Sequence, residues 1–452
     1  MNVDKAYTCP QGAGLAFKLI LVFFALITGL SITCRYELLA IEVGLAFILI
    51  ALIIFTRDFT PVLLMLIVLR PIVDIWTEYR IGFVGIQMVM TVGIITSILL
   101  YLVTDKNRYR KKQIFQDPLV FLLTVYILLN FVSFGLNPKV DVNASLSLIF
   151  RFVSFLGMYV WGMVLFKSHH KRDWIIAAYI VASVIIAVAG YYQLATGAFY
   201  GIGTYKDRGV NAIQGTFFHP NMYANFLVLA NLSCIYFILN KKYMKLNYII
   251  LIANLFLFSQ TYSRIALAVW LLMIFVLALA YRKRSVYYLS IVIMAAAIIF
   301  YKFPSIIDFW AHRLETIDDP HALMSNRSYI FTALIHHFKM NPLIGIGPST
   351  FWPYYFPYAQ PHNELLRNLA EVGLLGTIPF VLMWTIIIKR FFSFRYCFQG
   401  AVYDKQKFII LLMIFAVATI SLTSNIGTNV DLMWPLFLLF GGYASPAKNN
   451  PE

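Results

Sequence analysis

The sequence is poor in charged residues and in cysteine. Of its 452 residues only 12% are charged and 4 are cysteine, whereas 61% are hydrophobic. An ordinary soluble domain is about 45–50% apolar and about 25% charged. One water-soluble core cannot hide this much apolar surface, so lipid must surround most of the chain. The composition therefore excludes a soluble enzyme, a disordered chain and a secreted disulfide scaffold.

Several short catalytic signatures are missing as well. The sequence has no GxxxxGK[ST] loop, which disfavours ATP-driven transport, and no GxSxG string. It has no HxxxH pair, and its cysteines do not have the spacing of metal ligands. We therefore expect no metal and no cofactor.

Long apolar runs predict an all-α, polytopic integral membrane protein. The runs are continuous and about twenty residues long rather than alternating, which argues against an outer-membrane β-barrel. We expect about 12–14 transmembrane helices and one large extracytoplasmic loop that contains an amphipathic helix. The candidate spans are roughly 15–34, 37–55, 60–76, 81–104, 117–136, 146–166, 173–195, 217–239, 246–262, 264–281, 285–303, 363–388, 407–423 and 429–443.

The basic residues predict the orientation of these spans. Lys and Arg number 36 against 20 Asp and Glu, giving a net charge of +16. If the N-terminus is cytoplasmic and the spans alternate, every short basic cluster falls on the cytoplasmic side, as the positive-inside rule requires. We therefore predict a multi-pass membrane protein with a cytoplasmic N-terminus, and the excess charge calls for no nucleic-acid partner.

Two loops fall on the outside in this arrangement, at roughly 196–216 and 304–362. In the longer one, Ser325 or Asn326 can cap a helix whose apolar stripe is Ile330, Leu334 and Phe338. This pattern predicts an amphipathic helix lying on the outer surface. The aromatic residues of 352–358 fit either an interfacial belt or a surface that stacks on sugar or grips lipid.

Histidine and arginine supply the candidate chemistry. Six of the eight histidines fall on or near the outer face, where an imidazole can act as a base near neutral pH. Arg208, Arg264 and Arg327 fall there too, and a guanidinium binds phosphate through a planar, permanently charged fork. The alternative for each arginine is that it snorkels to the lipid headgroups.

Other ionisable residues lie within or near the spans. Arg70 and Asp74 stand four residues apart and can pair on one helix face, and structural pairing is also the expected role of Arg151. Glu371, near the start of a span, can hold an arginine or polarise an imidazole.

Five strings in the second half of the sequence carry a family resemblance. They are GTFFHPNMYANFL (215–227), TYSRIAL (261–267), NRSYIFTAL (326–334), NPLIGIGPSTF (341–351) and PHNELLRNLAEVGLLG (361–376). In order and interval they resemble the O-antigen ligase/polymerase family, which includes oligosaccharide ligases and polysaccharide repeat-unit polymerases. The resemblance covers roughly residues 200–390, whereas the first half matches only as a set of spans.

The resemblance implies a metal-independent, inverting glycosyltransferase that takes a glycan from undecaprenyl pyrophosphate at the outer face of the bacterial cytoplasmic (inner) membrane. The family histidine falls on His362, the expected general base. The family arginines fall on Arg264 and Arg208, which would bind the pyrophosphate, and Arg327 would help to position substrate. Glu371, His219 and Asn363 are expected to support the site.

These expectations divide the chain into N-terminal transmembrane helices (1–195), a catalytic region (196–390, including the loop 304–362) and C-terminal helices with a short tail (391–452). The leading functional hypothesis is polymerisation of lipid-linked repeat units into O-antigen, capsule or exopolysaccharide. The alternatives are a ligase that transfers the glycan to lipid A core or another acceptor and, less favoured, a polysaccharide transporter or flippase. The expected partners are the undecaprenyl-pyrophosphate-linked donor, a glycan or lipid-linked acceptor, membrane lipids and components of an export or chain-length-control system.

Overall fold

The structure is a computed structural model. It describes residues 59–73, 80–81, 84–105, 107–137, 139–197, 204–205, 210–281, 327–351, 361–392, 404–424 and 429–444. The predicted spans 15–34, 37–55 and 285–303 lie outside the described residues, as do Asp74, Arg208 and the proposed helix caps Ser325 and Asn326.

Within these residues the chain forms thirteen α-helices, and the all-α prediction is confirmed. They are α1 Thr60–Val73, α2 Ile86–Thr104, α3 Arg108–Gln116, α4 Pro118–Leu136, α5 Val142–Leu165, α6 His169–Thr196, α7 Pro220–Leu239, α8 Met244–Ser259, α9 Arg264–Ala280, α10 Arg327–Met340, α11 Glu364–Phe391, α12 Lys405–Ser421 and α13 Val430–Gly442. Two antiparallel pairs of two-residue strands interrupt them, β1 Arg80–Ile81 with β2 Val84–Gly85 and β3 Thr204–Tyr205 with β4 Val210–Asn211.

The helices follow the predicted spans closely. Among the described residues, α4, α5, α6, α7 and α11 are long and apolar enough to cross a membrane, and several shorter apolar helices pack among them. A bilayer core about 30 Å thick needs roughly twenty apolar residues in a helix. The chain is therefore a multi-pass membrane protein.

Polar residues at the helix starts explain why the elements begin where they do. The side chain of Asp117 accepts a hydrogen bond from the backbone N–H of Leu119, and Pro118 takes the first position of α4. Ser168 caps α6 in the same way, through the N–H of Lys171. Such caps satisfy backbone donors that the first helical turn leaves without an intrahelical partner.

One end of the helix bundle gathers the basic loops, and we call it the basic end. There Lys242 at the start of α8 lies 2.9 Å from Asp173 of α6, and Arg390 of α11 lies 3.2 Å from Asp117. Arg172 donates hydrogen bonds to the side chain of Gln406 and to the carbonyl of Gly442. These contacts join the starts of α4, α6 and α12 with the ends of α11 and α13, as antiparallel packing of the predicted spans requires.

Helices α5 and α13 pack with their backbones close together. A Cβ on Gly441 would overlap the carbonyl oxygen of Tyr159, and a Cβ on Gly162 would overlap that of Leu438. Two glycines therefore let the backbones approach, as is common between helices in membranes. The neighbouring side chains, among them Phe155 and Phe437 in a stacked pair, are buried.

Helix α10 is confirmed as a helix, and its apolar stripe packs against protein. Ile330 and Leu334 are buried against Ile346, Phe351 and Ala370. The stripe thus attaches α10 to α11 and to the segment between them, because those elements supply apolar surface on the same side of the helix.

Candidate functional site

At the end of the bundle opposite the basic end, α11 is broken. Gly373 has φ 63° and ψ −168°, so residues 364–372 form a separate piece, here called the head of α11. Residues 342–351, here called the glycine turn, run along the break. Their backbone contacts with α11 are hydrogen bonds from Leu374 N to Pro342 O, from Leu375 N to Leu343 O, from Ile346 N to Ala370 O and from Gly347 N to Glu371 O.

Glycine is required where these two segments meet. A Cβ on Gly373 would overlap the backbone of Leu343, and a Cβ on Gly345 would overlap the backbone of Glu371. Both residues also have φ in the left-handed region, which favours glycine. The break and the turn therefore form one interlocked unit.

His362 stands directly before the head of α11. Asn363 caps the helix by accepting a hydrogen bond from Leu366 N at 2.9 Å, and its side-chain amide donates to Leu422 O at 2.9 Å. Leu422 follows the last residue of α12, so this bond fixes the start of α11 to the end of α12. His362 is half-buried at this junction.

Arg264 is the first residue of α9 and is also half-buried. The turn before it is tied to the preceding loop by a hydrogen bond of 3.0 Å from Ile213 N to Gln260 O. The ring of Tyr281, at the other end of α9, contacts the ring of Phe408 near the start of α12, so α9 and α12 are antiparallel. Because α12 packs against both α9 and α11, Arg264 and His362 lie at the same end of the bundle, next to the end of α12.

The loop of residues 212–219 is held by a residue that the sequence analysis did not single out. Gln193, fully buried in the last turn of α6, accepts hydrogen bonds from Gln214 N at 3.1 Å and Gly215 N at 3.0 Å. It also donates to Gly215 O at 2.7 Å. A glutamine near the end of an otherwise apolar span was the signal available in the sequence.

His219 ends this loop as the N-cap of α7. Its Nδ1 accepts a hydrogen bond from Asn221 N at 3.1 Å, which places the proton of the neutral ring on Nε2. Arg208 lies outside the described residues, and nothing is described of the side chain of Arg327, the first residue of α10.

Glu371 lies at the last turn of the head of α11 with its side chain buried. Its Oε2 accepts a hydrogen bond from Ser349 N at 2.9 Å and its Oε1 accepts one from Phe351 N at 3.3 Å. Arg367 lies 3.7 Å from the same carboxylate and also forms an ion pair with Glu364. Glu371 was expected to hold an arginine or to polarise an imidazole, and its backbone contacts with the glycine turn were not foreseen.

Among the residues that the structure describes, no group of three or more His, Cys, Asp or Glu side chains is placed to hold a metal ion. The site instead gathers an imidazole, a guanidinium and capped helix starts at one end of the bundle. Such a set suits an anionic substrate and proton removal from a hydroxyl group.

Comparison with known proteins gives a family match. The family model described as O-Antigen ligase matches residues 248–381. This segment begins within α8 and contains α9, α10, the glycine turn, Arg264 and His362, and the match confirms the resemblance predicted from the sequence. It indicates ligase- or polymerase-type processing of glycans, with lipid-linked glycan substrates. A search of the curated proteins finds no match.

Proposed function

We propose that this protein polymerises undecaprenyl-pyrophosphate-linked oligosaccharide repeat units into a surface polysaccharide at the outer face of the bacterial cytoplasmic membrane. The observation that carries the proposal is the placement of His362 and Arg264 at one end of the bundle, opposite the basic end, within the segment that matches the family. The catalytic region is residues 196–390, between the N-terminal helices of 1–195 and the C-terminal part of 391–452.

The reaction joins an acceptor sugar hydroxyl to the donor glycan with inversion. The hydroxyl oxygen forms a bond to the anomeric carbon while the bond from that carbon to the pyrophosphate oxygen breaks. The electron pair leaves with the lipid pyrophosphate, and His362 takes the proton of the hydroxyl. Proton removal by a positioned base contributes roughly 10²–10⁴-fold to the rate.

The arginines stabilise the departing pyrophosphate. Arg264 and Arg208 bind its oxygens, and Arg327 helps to position the substrate. Fixed cationic groups aimed at developing negative charge usually contribute more than the base does. Asn363 and Glu371 hold the head of α11, and His219 caps α7 beside the loop that leads from Arg208.

A ligase that transfers finished glycan to lipid A core or another acceptor is the second candidate, favoured by the description of the matching family model. Both activities use the same donor chemistry and differ in the acceptor. A strain that lacks this protein separates them. Single repeat units on the surface support the polymerase, and full-length chains left on the lipid carrier support the ligase.

The decisive test is reconstitution of the purified protein in liposomes with labelled lipid-linked oligosaccharide and no nucleotide. The proposal expects longer glycans from the wild type and none from His362→Ala at equal protein amount. His336→Ala is the matched control, since His336 is exposed on α10, and it should retain activity. Movement of the label across the bilayer without extension or transfer would contradict an enzyme and support a transporter.

A further inference from the structure

The break at Gly373 leaves the head of α11 without the continuous helical hydrogen bonds that would otherwise fix its direction. Its position depends instead on side-chain and turn contacts. We infer that Glu371 is a positioning residue whose carboxylate fastens the head of α11 to the glycine turn and so fixes His362. This inference rests on the proposed function in one respect only, namely that His362 is the base.

The Glu371 carboxylate contacts the glycine turn through both of its oxygens. Its two oxygens accept hydrogen bonds from the backbone N–H groups of two different residues of the turn, Ser349 and Phe351. Gly345, Gly347 and Ser349 have φ values of 78°, 104° and 55°, alternating with residues of ordinary conformation. Such alternation turns successive N–H groups to one side and makes a concavity that suits an anion. Glu371 is the anion that fills it.

The charge and the burial of Glu371 also couple the turn to the head of α11. Glu371 is only 3% exposed, so its carboxylate has no access to bulk water. The guanidinium of Arg367 lies 3.7 Å away and the turn supplies two charge-assisted hydrogen bonds. A buried carboxylate is costly unless it is paired and hydrogen-bonded in this way. The turn and the head are therefore coupled, because moving either one would leave the carboxylate short of partners.

The glycine turn is itself anchored to the rest of the bundle. Ser145 of α5 donates a hydrogen bond to Pro348 O at 2.6 Å. The hydroxyl of Ser133 on α4 lies 2.8 Å from Ile344 O and 3.0 Å from Glu371 O. Since α4 and α5 anchor the turn, the Glu371 carboxylate transmits their position to the head of α11.

The consequence for His362 follows from helix geometry. His362 stands nine positions before Glu371, which corresponds to about 14 Å along a helix at 1.5 Å per residue. A tilt of about 10° at the Glu371 end would move His362 by roughly 2 Å. A misplacement of about 1 Å can cost on the order of 10²-fold in rate. Glu371 thus affects the reaction although it lies far from the reacting atoms.

A cysteine probe tests the contact between the Glu371 carboxylate and the glycine turn, here called the clamp, without a measurement of activity. In a chain whose 4 native cysteines are replaced by alanine, Thr350→Cys puts a thiol at a fully buried position within the turn. The thiol should be unreactive with a membrane-impermeant maleimide. Adding Glu371→Gln, which removes the charge and sets an amide N–H against a backbone N–H, should raise the labelling rate by about tenfold or more.

Kinetics then test whether the clamp positions the base. Glu371→Gln should lower kcat by about 10²-fold with little change in KM for the lipid-linked donor, because the arginines that bind the donor remain. Asp117→Asn is the matched control, since Asp117 is a buried carboxylate that holds Arg390 and Tyr159 at the basic end. It should lower the thermal unfolding midpoint yet leave both the labelling rate and the kcat of the folded fraction unchanged.

Unchanged labelling in Glu371→Gln would overturn the clamp. A fall in kcat that only matches the loss of folded protein, as expected for Asp117→Asn, would overturn the positioning role. If the wild type transfers no glycan at all, the proposed function fails, and the labelling result still decides whether Glu371 holds the turn.

Discussion

Arg70 of α1 and Asp431 of α13 form a buried ion pair, with 3.2 Å between a guanidinium nitrogen and a carboxylate oxygen. Their side chains are 4% and 1% exposed. Next to this pair, Thr216 donates a hydrogen bond of 2.7 Å to the carbonyl of Pro71. The pair thus joins the first and last described helices beside the loop that leads to the candidate site.

Breaking this pair should be strongly destabilising. Asp431→Leu removes the Asp431 carboxylate from beside the buried guanidinium of Arg70, and removing one member of a buried pair typically costs about 3–5 kcal/mol. The double variant Arg70→Leu/Asp431→Leu removes both charges and should recover part of that loss. The thermal unfolding midpoint of the protein in detergent measures the effect. Simple additivity of Arg70→Leu and Asp431→Leu would contradict a direct interaction.

Arg70 also shows what the sequence can and cannot predict. Its position within a helix followed from the apolar run, because lipid requires about twenty apolar residues per crossing and the bilayer sets the element length. The contact of Arg70 with Asp431 did not follow, since periodicity only identifies neighbours on the same helix. Asp74 was such a neighbour, whereas Asp431 is distant in the sequence and can be found only from the packing of α1 against α13.

The candidate site, too, could be predicted from the sequence only in part. The family strings and the alternation of spans placed His362 and Arg264 at one end of the bundle without any coordinates. The hydrogen bonds of Gln193 and Glu371 to backbone groups of distant turns leave no periodic signal in the sequence. The burial of Ile330 and Leu334 against α11 was missed because an amphipathic helix looks the same whether its apolar side meets protein or lipid.

The contact between α5 and α13 should not tolerate even one methyl group. Gly441→Ala would force the Cβ into backbone atoms of α5 that cannot move aside, and overpacking typically costs about 1–3 kcal/mol. Gly93→Ala in α2 is the matched control, since a Cβ there meets nothing within 4 Å. In that position alanine should be neutral or stabilising by about 0.5–1 kcal/mol. Equal unfolding midpoints for the two variants would argue against the close approach.

Arg264 should be needed for its planar fork as well as for its charge. Arg264→Ala should lower kcat/KM for the lipid-linked donor by roughly 10²–10³-fold, the usual cost of removing a group that stabilises developing charge. Arg264→Lys keeps the charge but not the bidentate geometry, so it should restore only part of the activity. Lys245→Ala, an exposed position at the basic end, is the control that should retain activity. Full activity of Arg264→Lys would show that charge alone suffices.

His337 should make the attachment of α10 sensitive to acid. Its ring contacts the ring of Phe351 at 5.9 Å, and burial, with repulsion from His336, lowers the pKa of His337 below its usual value of 6.5. The folded state therefore favours the neutral ring. The contribution of neutral His337 to the attachment of α10 is fully present above about pH 6.5, the ordinary pKa. It is lost as the pH falls through the lower pKa that His337 has in the folded protein.

Hydrogen exchange of the α10 amides measures this loss, after correction for the intrinsic exchange rate at each pH. Protection should fall as the pH is lowered from about 7.5 to about 5, because the unfolded chain binds a proton at His337 at a higher pH than the folded protein does. His337→Gln, which cannot be protonated, should remove the pH dependence, whereas His336→Gln should only reduce it, since repulsion from His336 is the smaller cause. Equal pH dependence in wild type and His337→Gln would show that another group controls the packing of α10 on the glycine turn.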